Sequence, residues 1–263
     1  MNDVIALQIA DSIATVTLNR PGSLNALNRE MAEALNRVFG ELERNASVRC
    51  LVLRGAGDHF MAGGDIRFFQ QCLALPEPER EAEVASVIGM VNAAAAQLRR
   101  LPQPVIASIR GNVAGYGMSL VAACDLAIAA DNARFTQAYS QIATTPDGGN
   151  TFFLPRVVGL KRAAALCLLN QPLDAGAALE QGLINNVVAN DELEAETEKM
   201  ARRITRGSMQ AMAGVKALLN ASLQHTLEQQ LQLEQASFVR CALGADFREG
   251  LDAFVGKRQP RFA

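Results

Sequence analysis

Two segments of this chain share one pattern, in which a short apolar strand ends in glycines and a helix follows at once. They are residues 61–65, which read Met-Ala-Gly-Gly-Asp, and residues 115–118, which read Gly-Tyr-Gly-Met. A chain built from strands, glycine turns and helices is expected to fold as an α/β protein. Each turn also leaves backbone N–H groups unpaired at a helix start, where the helix dipole favours negative charge.

The rest of the chain extends this pattern and ends in helices. Alternating apolar segments within residues 4–18 predict a β-hairpin, and Asn28 is expected to cap the helix that follows. We expect a core of strands and helices over residues 1–200 and a helical region over residues 201–263. The other expected strands lie at residues 50–53, 104–109, 125–130 and 134–137, and the expected helices at 28–44, 76–100, 118–124, 161–170, 174–181, 192–205, 209–221, 223–243 and 248–255.

The composition excludes several classes of function. With 263 residues, 49% hydrophobic side chains and a net charge of −2, the chain has the balance of a globular protein and lacks the basic surface that nucleic acid requires. No segment resembles a secretory leader or a membrane span of about 20 apolar residues. The cysteines and the two histidines show no metal-ligand spacing. We therefore expect a cytoplasmic protein with no metal site that binds neither nucleic acid nor membrane.

The glycine turns allow three chemical interpretations. Phosphate binding fits poorly, because neither turn has the spacing of a dinucleotide-binding or P-loop motif. A Ser-His-Asp triad also fits poorly, because Ser119 is not in a G-x-S-x-G turn and His59 and His225 suit structural roles. The N–H groups of Gly64 and Tyr116 could instead form an oxyanion hole. The residues alone leave open whether these are such donors or two ordinary tight turns.

Asp147 is the other residue that suggests chemistry. It lies in a loop that reads Thr-Thr-Pro-Asp-Gly-Gly, whereas the neighbouring acids Asp125 and Asp131 flank an apolar strand. A carboxylate in a glycine loop near an anion site suggests proton transfer at carbon. The alternative is an aspartate that only stabilises the turn after Pro146.

Several segments together resemble the crotonase superfamily, which is the enoyl-CoA hydratase/isomerase family. They occur in the family's order and span the chain from about residue 4 to residue 262. The segments are Leu18-Asn19-Arg20-Pro21, Leu24-Asn25-Ala26-Leu27, Phe60-Met61-Ala62-Gly63-Gly64-Asp65-Ile66, Pro104-Val105-Ile106-Ala107, Gly115-Tyr116-Gly117, Cys124-Asp125, Glu249-Gly250, Ala253-Phe254 and Lys257-Arg258.

This resemblance implies an α/β fold, the crotonase (ClpP-like) spiral of ββα repeats with a C-terminal helical trimerisation region. It also implies a homotrimer or a dimer of trimers that acts on an acyl-CoA thioester, with coenzyme A as part of the substrate and no separate cofactor. The thioester oxygen would accept the N–H groups of Gly64 and Tyr116. The residues implied to contact coenzyme A are Asn25, Ala26, Leu27, Ala62, Gly63 and Asp65, together with Phe254 and Lys257, which would reach the neighbouring subunit's ligand.

The chain departs from the family at the two positions where hydratases carry glutamates. Those positions hold Ser119 and Tyr139. Hydration requires groups that activate water and protonate carbon. A tyrosine hydroxyl, with an ordinary pKa of about 10, and a serine hydroxyl cannot do this near neutral pH. Efficient hydration is therefore not expected.

Asp147 matches the position at which several isomerases of the family place an aspartate. The surrounding segment is similar to the epoxyphenylacetyl-CoA isomerases of phenylacetate breakdown. It also resembles dienoyl-CoA isomerases of fatty acid metabolism, which use a second acid that this chain lacks. The resemblance implies that Asp147 moves a proton on an enolate, shifting a double bond or opening an epoxide ring.

Other activities stay open. They are hydratase-like activity, thioester hydrolysis and non-catalytic acyl-CoA binding. Dehalogenation is a remote alternative, because the dehalogenases of this superfamily use a tryptophan and a histidine. This chain has no Trp, and Asn92 stands near the position of that histidine. The side chains expected around the acyl group, which could equally be core, suit a fatty or an aromatic chain. They are Ile66, Phe69, Tyr139 and Ile142, with Phe68, Met90, Phe152 and Phe153 nearby.

Overall fold

The computed structural model describes residues 3–262 and contains two sheets surrounded by helices; residues 1, 2 and 263 of the predicted ranges lie outside the described residues. The strands are β1 (Ile5–Ala10), β2 (Ile13–Leu18), β3 (Cys50–Gly55), β4 (Met61–Ala62), β5 (Val105–Ile109), β6 (Asn112–Ala114), β7 (Leu126–Ala130), β8 (Arg134–Thr136), β9 (Leu173–Asp174) and β10 (Asn186–Val188). The α-helices are α1 (Arg29–Glu43), α2 (Ile66–Leu73), α3 (Glu77–Arg100), α4 (Tyr116–Ala123), α5 (Asn150–Val158), α6 (Leu160–Leu169), α7 (Ala175–Glu180), α8 (Leu193–Thr205), α9 (Met209–Ser222), α10 (Leu227–Ala242) and α11 (Ala245–Val255).

The larger sheet starts from the predicted hairpin. β1 and β2 pair in antiparallel fashion around Asp11 and Ser12, whose positive φ angles of 49° and 61° allow a tight turn. The strands then follow the order β1-β2-β3-β5-β7-β10, and every pair after the hairpin is parallel. Parallel pairing requires crossover connections, so helices cover the sheet.

The smaller sheet places the two glycine turns together. Its order is β4-β6-β8-β9, and β4 pairs with β6 in parallel register, Met61 opposite Val113 and Ala62 opposite Ala114. Because one glycine turn follows each of these strands, the parallel register places the two turns side by side at the same edge of the sheet. This is the feature of the fold that builds the site.

Helices on both sides of the sheets bury the core. The Asn28 side chain accepts a hydrogen bond from the Met31 N–H at 3.0 Å, as predicted for the cap of α1. α1 buries one apolar face, whereas all eight residues of α4 are buried. α8 covers the other face of the larger sheet, where Leu193 and Ile204 pack with strand residues such as Val52.

The last helices are held to the core and also expose apolar side chains. The predicted domain boundary after residue 200 lies within α8, which packs on the sheet, and this division stays a prediction.

Within residues 3–262 no helix is both long and apolar enough to cross a membrane. Exposed apolar residues of α10 and α11 include Leu227, Leu231, Phe238, Leu251, Phe254 and Val255.

Local patterns missed some elements. Residues 150–158 were not predicted to be helical, but they form α5 even though Pro155 lies inside it. Proline lacks the N–H of a helical hydrogen bond, so it usually argues against a helix interior; here burial of Leu154 and Val158 compensates. The bounds of β4 and β6, and the existence of β9 and β10, were also not predicted, because two or three residues carry too little periodicity to identify a strand.

Candidate active site

The backbones of the two glycine turns are in contact. Gly63 and Gly115 have positive φ angles of 84° and 51°. A Cβ atom on Gly63 would lie 3.3 Å from the Ala114 carbonyl oxygen, and one on Gly115 would lie 3.3 Å from the Gly63 Cα. Only glycine combines this conformation with this close approach.

The paired turns leave the N–H groups of Gly64 and Tyr116 free. Gly64 forms a parallel bridge with Leu27: the Leu27 N–H donates to the Gly63 oxygen, and the Asp65 N–H donates to the Leu27 oxygen. The Gly64 N–H therefore points away from Leu27, and Tyr116 is the first residue of α4. Neither N–H has an acceptor within residues 3–262. Two neighbouring free donors at a helix start can bind one oxyanion.

The Tyr116 side chain is used for packing. Its hydroxyl donates to the Val91 carbonyl oxygen at 3.2 Å, and the ring is buried. Burial raises the pKa of Tyr116 above its ordinary value. The residue can therefore contribute to the site through its backbone N–H, as predicted, with its side chain neutral.

The Asp147 loop is pressed against α4. A Cβ atom on Gly148 would lie 2.5 Å from the Tyr116 ring and 3.1 Å from the Ser119 Cβ, so a side chain would not fit. The Gly148 N–H also donates to the Asn92 side-chain oxygen at 3.0 Å. These contacts place Asp147 beside the second glycine turn. The role of Asn92, on α3, was missed because nothing in the sequence links it to residue 148.

Asp147 belongs to a cluster with two hydroxyls. The Tyr139 hydroxyl donates to Oδ1 of Asp147 at 2.7 Å, and Ser119 Oγ donates to the Asp147 carbonyl oxygen at 2.9 Å. Ser119 Oγ lies 3.2 Å from the Tyr139 hydroxyl. Burial raises the pKa of Asp147, and the hydrogen bond from Tyr139 only partly opposes this. A carboxylate with a raised pKa is suited to take and return a proton.

The segments expected to contact coenzyme A meet at the glycine turns. Ala26 and Leu27 lie beside Gly63 through the bridge to Gly64. Asn25, however, is fully buried, and its side chain binds the carbonyl oxygens of Ala56 and His59. Asn25 therefore exposes no atom to a ligand, and its contact with coenzyme A stays a prediction.

The Asp65 side chain is already engaged. Its carboxylate lies 2.9 Å from Arg20 and also accepts the Arg67 N–H. Burial would raise the pKa of Asp65, but these two hydrogen bonds outweigh it and lower the pKa. Phe254 and Lys257 lie at the end of α11, and within residues 3–262 neither has a hydrogen bond or ring contact with the glycine turns.

The predicted acyl-pocket residues divide into two groups. The Phe69 ring packs on Gly64, where an added Cβ would lie 2.9 Å from it, and Tyr139 lies between Gly115 and Asp147. Ile66 and Ile142 are each 50% exposed, at the outside of the site. The structure thus brings Phe69 and Tyr139 to the turns, and leaves contact between the acyl group and any of the four a prediction.

The arrangement opposes nucleophilic catalysis by serine. Ser119 is fully buried and bonds to the Tyr139 and Asp147 cluster. His59 instead accepts the Asn112 N–H at 3.1 Å. Among residues 3–262 no group of three or more His, Cys, Asp or Glu side chains is placed to hold a metal ion.

Comparison with known proteins places this site in a family. A sequence model described as enoyl-CoA hydratase/isomerase matches residues 8–263. The 1,2-epoxyphenylacetyl-CoA isomerase of Escherichia coli (strain K12) is 36% identical over 262 residues, which cover 100% of this chain and 99% of that protein. A probable enoyl-CoA hydratase of Rhodobacter capsulatus is also 36% identical, over 263 residues, covering 98% of this chain and 97% of that protein.

Solved structures agree. The crystal structure of an enoyl-CoA hydratase from Polaromonas sp. JS666 superposes with a TM-score of 0.92 at 32% identity, covering 98% of this chain and 99% of that one. The predicted crotonase fold is confirmed. Because an isomerase and a probable hydratase are equally similar, overall identity does not decide between these two activities. The chain is an enzyme of the enoyl-CoA hydratase/isomerase family, within the crotonase superfamily.

Proposed function

We propose that this enzyme is an acyl-CoA isomerase that shifts a double bond through an enolate, with Asp147 as its single acid and base. The observation that carries this proposal is the composition of the Asp147 cluster. The Asp147 carboxylate lies beside the paired glycine turns, and within residues 3–262 the side chains hydrogen-bonded to Asp147 itself are the hydroxyls of Ser119 and Tyr139. One group that accepts and returns a proton is sufficient for a double-bond shift.

The reaction would begin at the thioester carbonyl. Its oxygen would accept the N–H groups of Gly64 and Tyr116, and these donors would stabilise the negative charge that develops when a proton leaves the neighbouring carbon. Asp147 would take that proton and return it to the carbon at the other end of the conjugated system. No atom is gained or lost. The name of the Escherichia coli relative suggests epoxide ring opening as a variant of the same enolate chemistry.

Hydration would require further groups. Activating water and protonating carbon calls for an additional acid or base, but Ser119 and Tyr139 are buried and hydrogen-bonded to the Asp147 segment. Burial raises the pKa of Tyr139, which makes its hydroxyl a still weaker acid. These observations favour isomerisation over hydration or thioester hydrolysis.

We propose a homotrimer or a dimer of trimers as the working assembly. Phe254 is 85% exposed at the end of α11, and the neighbouring helix carries further exposed apolar residues. A second copy that covered this surface would remove it from water. In such an assembly Lys257 would be available to pair with a phosphate of coenzyme A in the adjacent subunit.

The first prediction tests the base. We expect Asp147→Asn to lower kcat/KM for converting 3-enoyl-CoA into 2-enoyl-CoA by about 10²–10⁴-fold, the usual contribution of a general base. The matched control is Asp131→Asn, which removes an exposed carboxylate just outside β7 and is expected to retain full activity. The measurement is the absorbance of the conjugated thioester across a series of acyl chains, including an epoxide of a phenylacetyl thioester.

Other products would identify other functions. An Asp147→Asn enzyme that isomerises as fast as wild type would contradict the role of Asp147. Accumulation of 3-hydroxyacyl-CoA would indicate a hydratase, and free coenzyme A would indicate a hydrolase. Tight thioester binding without turnover of any substrate would indicate a binding protein.

A further inference from the structure

Counting protons in the Asp147 cluster shows that its three hydrogen bonds cannot all be made at once. Two hydroxyl hydrogens are available, one on Ser119 and one on Tyr139. The Asp147 carbonyl oxygen can only accept, so the Ser119 hydrogen is used there, at 2.9 Å. An ionised Oδ1 can also only accept, so the Tyr139 hydrogen is used there, at 2.7 Å. No hydrogen is left for the 3.2 Å contact between the two hydroxyl oxygens.

The unused contact becomes useful once Asp147 is protonated. A neutral carboxyl group holds its donors less strongly than a carboxylate does. The Tyr139 hydroxyl can then turn to Ser119 Oγ, which still has a free lone pair while it donates to the Asp147 carbonyl. The cluster therefore accommodates both protonation states of Asp147 by rotating one O–H bond, with no movement of heavy atoms.

The two carboxyl oxygens of Asp147 have different surroundings. Oδ1 accepts from Tyr139, whereas Oδ2 carries no hydrogen bond to another of the described residues. Tyr139 itself is buried, with Ser119 Oγ 3.2 Å from its hydroxyl and Gly115 beside its ring. The carboxyl group is therefore held with one oxygen toward Tyr139 and the other available to a substrate.

We propose that Tyr139 and Ser119 act as a hydroxyl switch: the Tyr139 hydroxyl occupies Oδ1 while Asp147 is ionised, which leaves Oδ2 to take the proton from the substrate, and it turns to Ser119 Oγ while Asp147 holds that proton. Both are positioning residues, because they act through Asp147. This inference rests on the proposed isomerase function and adds to it. A proton received on the oxygen that faces the substrate is expected to return to the same substrate molecule more often than it is lost to water.

Two variants separate the switch from simple packing. Tyr139→Phe keeps the ring and removes the donor to the carboxylate. That donor stabilises the charged form, so its loss raises the pKa of Asp147 and moves the acid limb of the pH profile of kcat/KM upward, by about one pH unit or more. Ser119→Ala removes the acceptor that the switch uses when Asp147 is protonated, together with the donor to the Asp147 carbonyl oxygen, and leaves the Tyr139 donor to the carboxylate in place. The acid limb of this variant is expected to stay in place or move to lower pH.

Few other groups can affect this titration. Among the described residues, the titratable groups coupled to Asp147 are Tyr139 and Tyr116, and burial keeps both neutral across the working pH range. The control is Ser108→Ala, which removes another buried hydroxyl, one bonded to Thr197 at 2.9 Å away from the site. It is expected to leave the acid limb unchanged.

A label measures the return of the proton directly. With 3-enoyl-CoA deuterated at C2 and water as solvent, mass spectrometry gives the fraction of deuterium that reaches C4 of the product. We expect Tyr139→Phe to reduce this fraction at least twofold relative to wild type and Ser108→Ala, because without the Tyr139 hydroxyl the ionised carboxylate is no longer oriented when it takes the deuteron and loses more of it to water. Circular dichroism and thermal melting establish that each variant is folded.

The outcomes distinguish this inference from the proposed function. If Asp147→Asn abolishes isomerisation but Tyr139→Phe changes neither the acid limb nor the deuterium fraction, the isomerase function stands and the switch is wrong. If Ser119→Ala also moves the acid limb upward, Ser119 merely orients Tyr139 and the switch is again wrong. If Asp147→Asn isomerises normally, the proposed function fails and the inference fails with it.

Discussion

Gly115 connects β6 to α4 with φ 51° and ψ −119°, a conformation that residues with a side chain avoid. An added Cβ would also lie 3.3 Å from the Gly63 Cα. One residue thus permits both the turn and the approach of the neighbouring turn. The direction of the Gly64 and Tyr116 N–H groups depends on it.

Gly115→Ala is therefore expected to harm stability and catalysis together. Forcing a Cβ into this conformation costs about 1–3 kcal/mol of unfolding free energy, measured by urea denaturation. The displaced donors are expected to lower kcat/KM by at least about tenfold. Gly89→Ala is the control: this glycine lies inside α3 with open space around it, so the change is expected to stabilise by about 0.5–1 kcal/mol. Full activity in Gly115→Ala would contradict the oxyanion-hole assignment.

At the scale of elements, α9 is attached to the core by a buried ion pair. The Lys216 ammonium lies 2.7 Å from Oδ2 of Asp125 and donates to the Gln103 carbonyl oxygen at 3.0 Å. The same Asp125 oxygen accepts the Val105 N–H at 2.8 Å, at the start of β5. Burial lowers the pKa of Lys216, and Asp125 opposes this. The pair thus connects a C-terminal helix to the strand that leads to the second glycine turn.

Lys216→Met is expected to destabilise the protein by about 2–3 kcal/mol. Removing one partner of a fully buried pair costs about 3–5 kcal/mol. The loss is smaller here because Asp125 is partly exposed and keeps the Val105 N–H and Arg99. Lys199→Met, which breaks an exposed pair with Glu196, is expected to change stability by less than about 1 kcal/mol in the same urea titration. Equal effects of the two variants would contradict a structural role for the buried pair.

At the scale of the whole molecule, the glycine turns and the α11 tail have different surroundings. The second turn is buried and the first, with Gly64, is half-buried, whereas the end of α11 exposes Phe254 and Lys257. An exposed aromatic ring and an exposed cation at this end of the chain are suited to contact a ligand bound by a second copy of the protein. The proposed trimer would combine the two parts in one composite site.

This arrangement predicts how the tail affects kinetics. We expect Phe254→Ala and Lys257→Ala each to raise KM for acyl-CoA by about 3- to 30-fold, with kcat within about twofold, because binding contacts far from the reacting carbons act in ground and transition states alike. Lys161→Ala, at an exposed cation of α6, is the control. Sedimentation velocity gives the assembly state. A fully active wild-type monomer would contradict the composite site.

The sequence correctly predicted those features of the fold that depend on residues close together along the chain. The hairpin around Asp11 and the cap at Asn28 are local, because their hydrogen bonds join residues a few positions apart. The strands β9 and β10 and the helix α5 were missed, because partners distant in sequence stabilise them. Likewise, Tyr139 was expected to line the acyl pocket, but its hydrogen bond with Asp147 emerged only from the folded loop.

The sequence by itself determined the α/β class, the two glycine turns and a carboxylate in a glycine loop. Those features depend on backbone conformations and periodicities that can be read over a few residues. Only the tertiary structure decided that Gly63 and Gly115 touch, and that Ser119, Tyr139 and Asp147 share two hydroxyl hydrogens among three contacts. The physical reason is that the register of β4 on β6 and the packing of the Asp147 loop on α4 depend on contacts between distant residues, which no local pattern encodes.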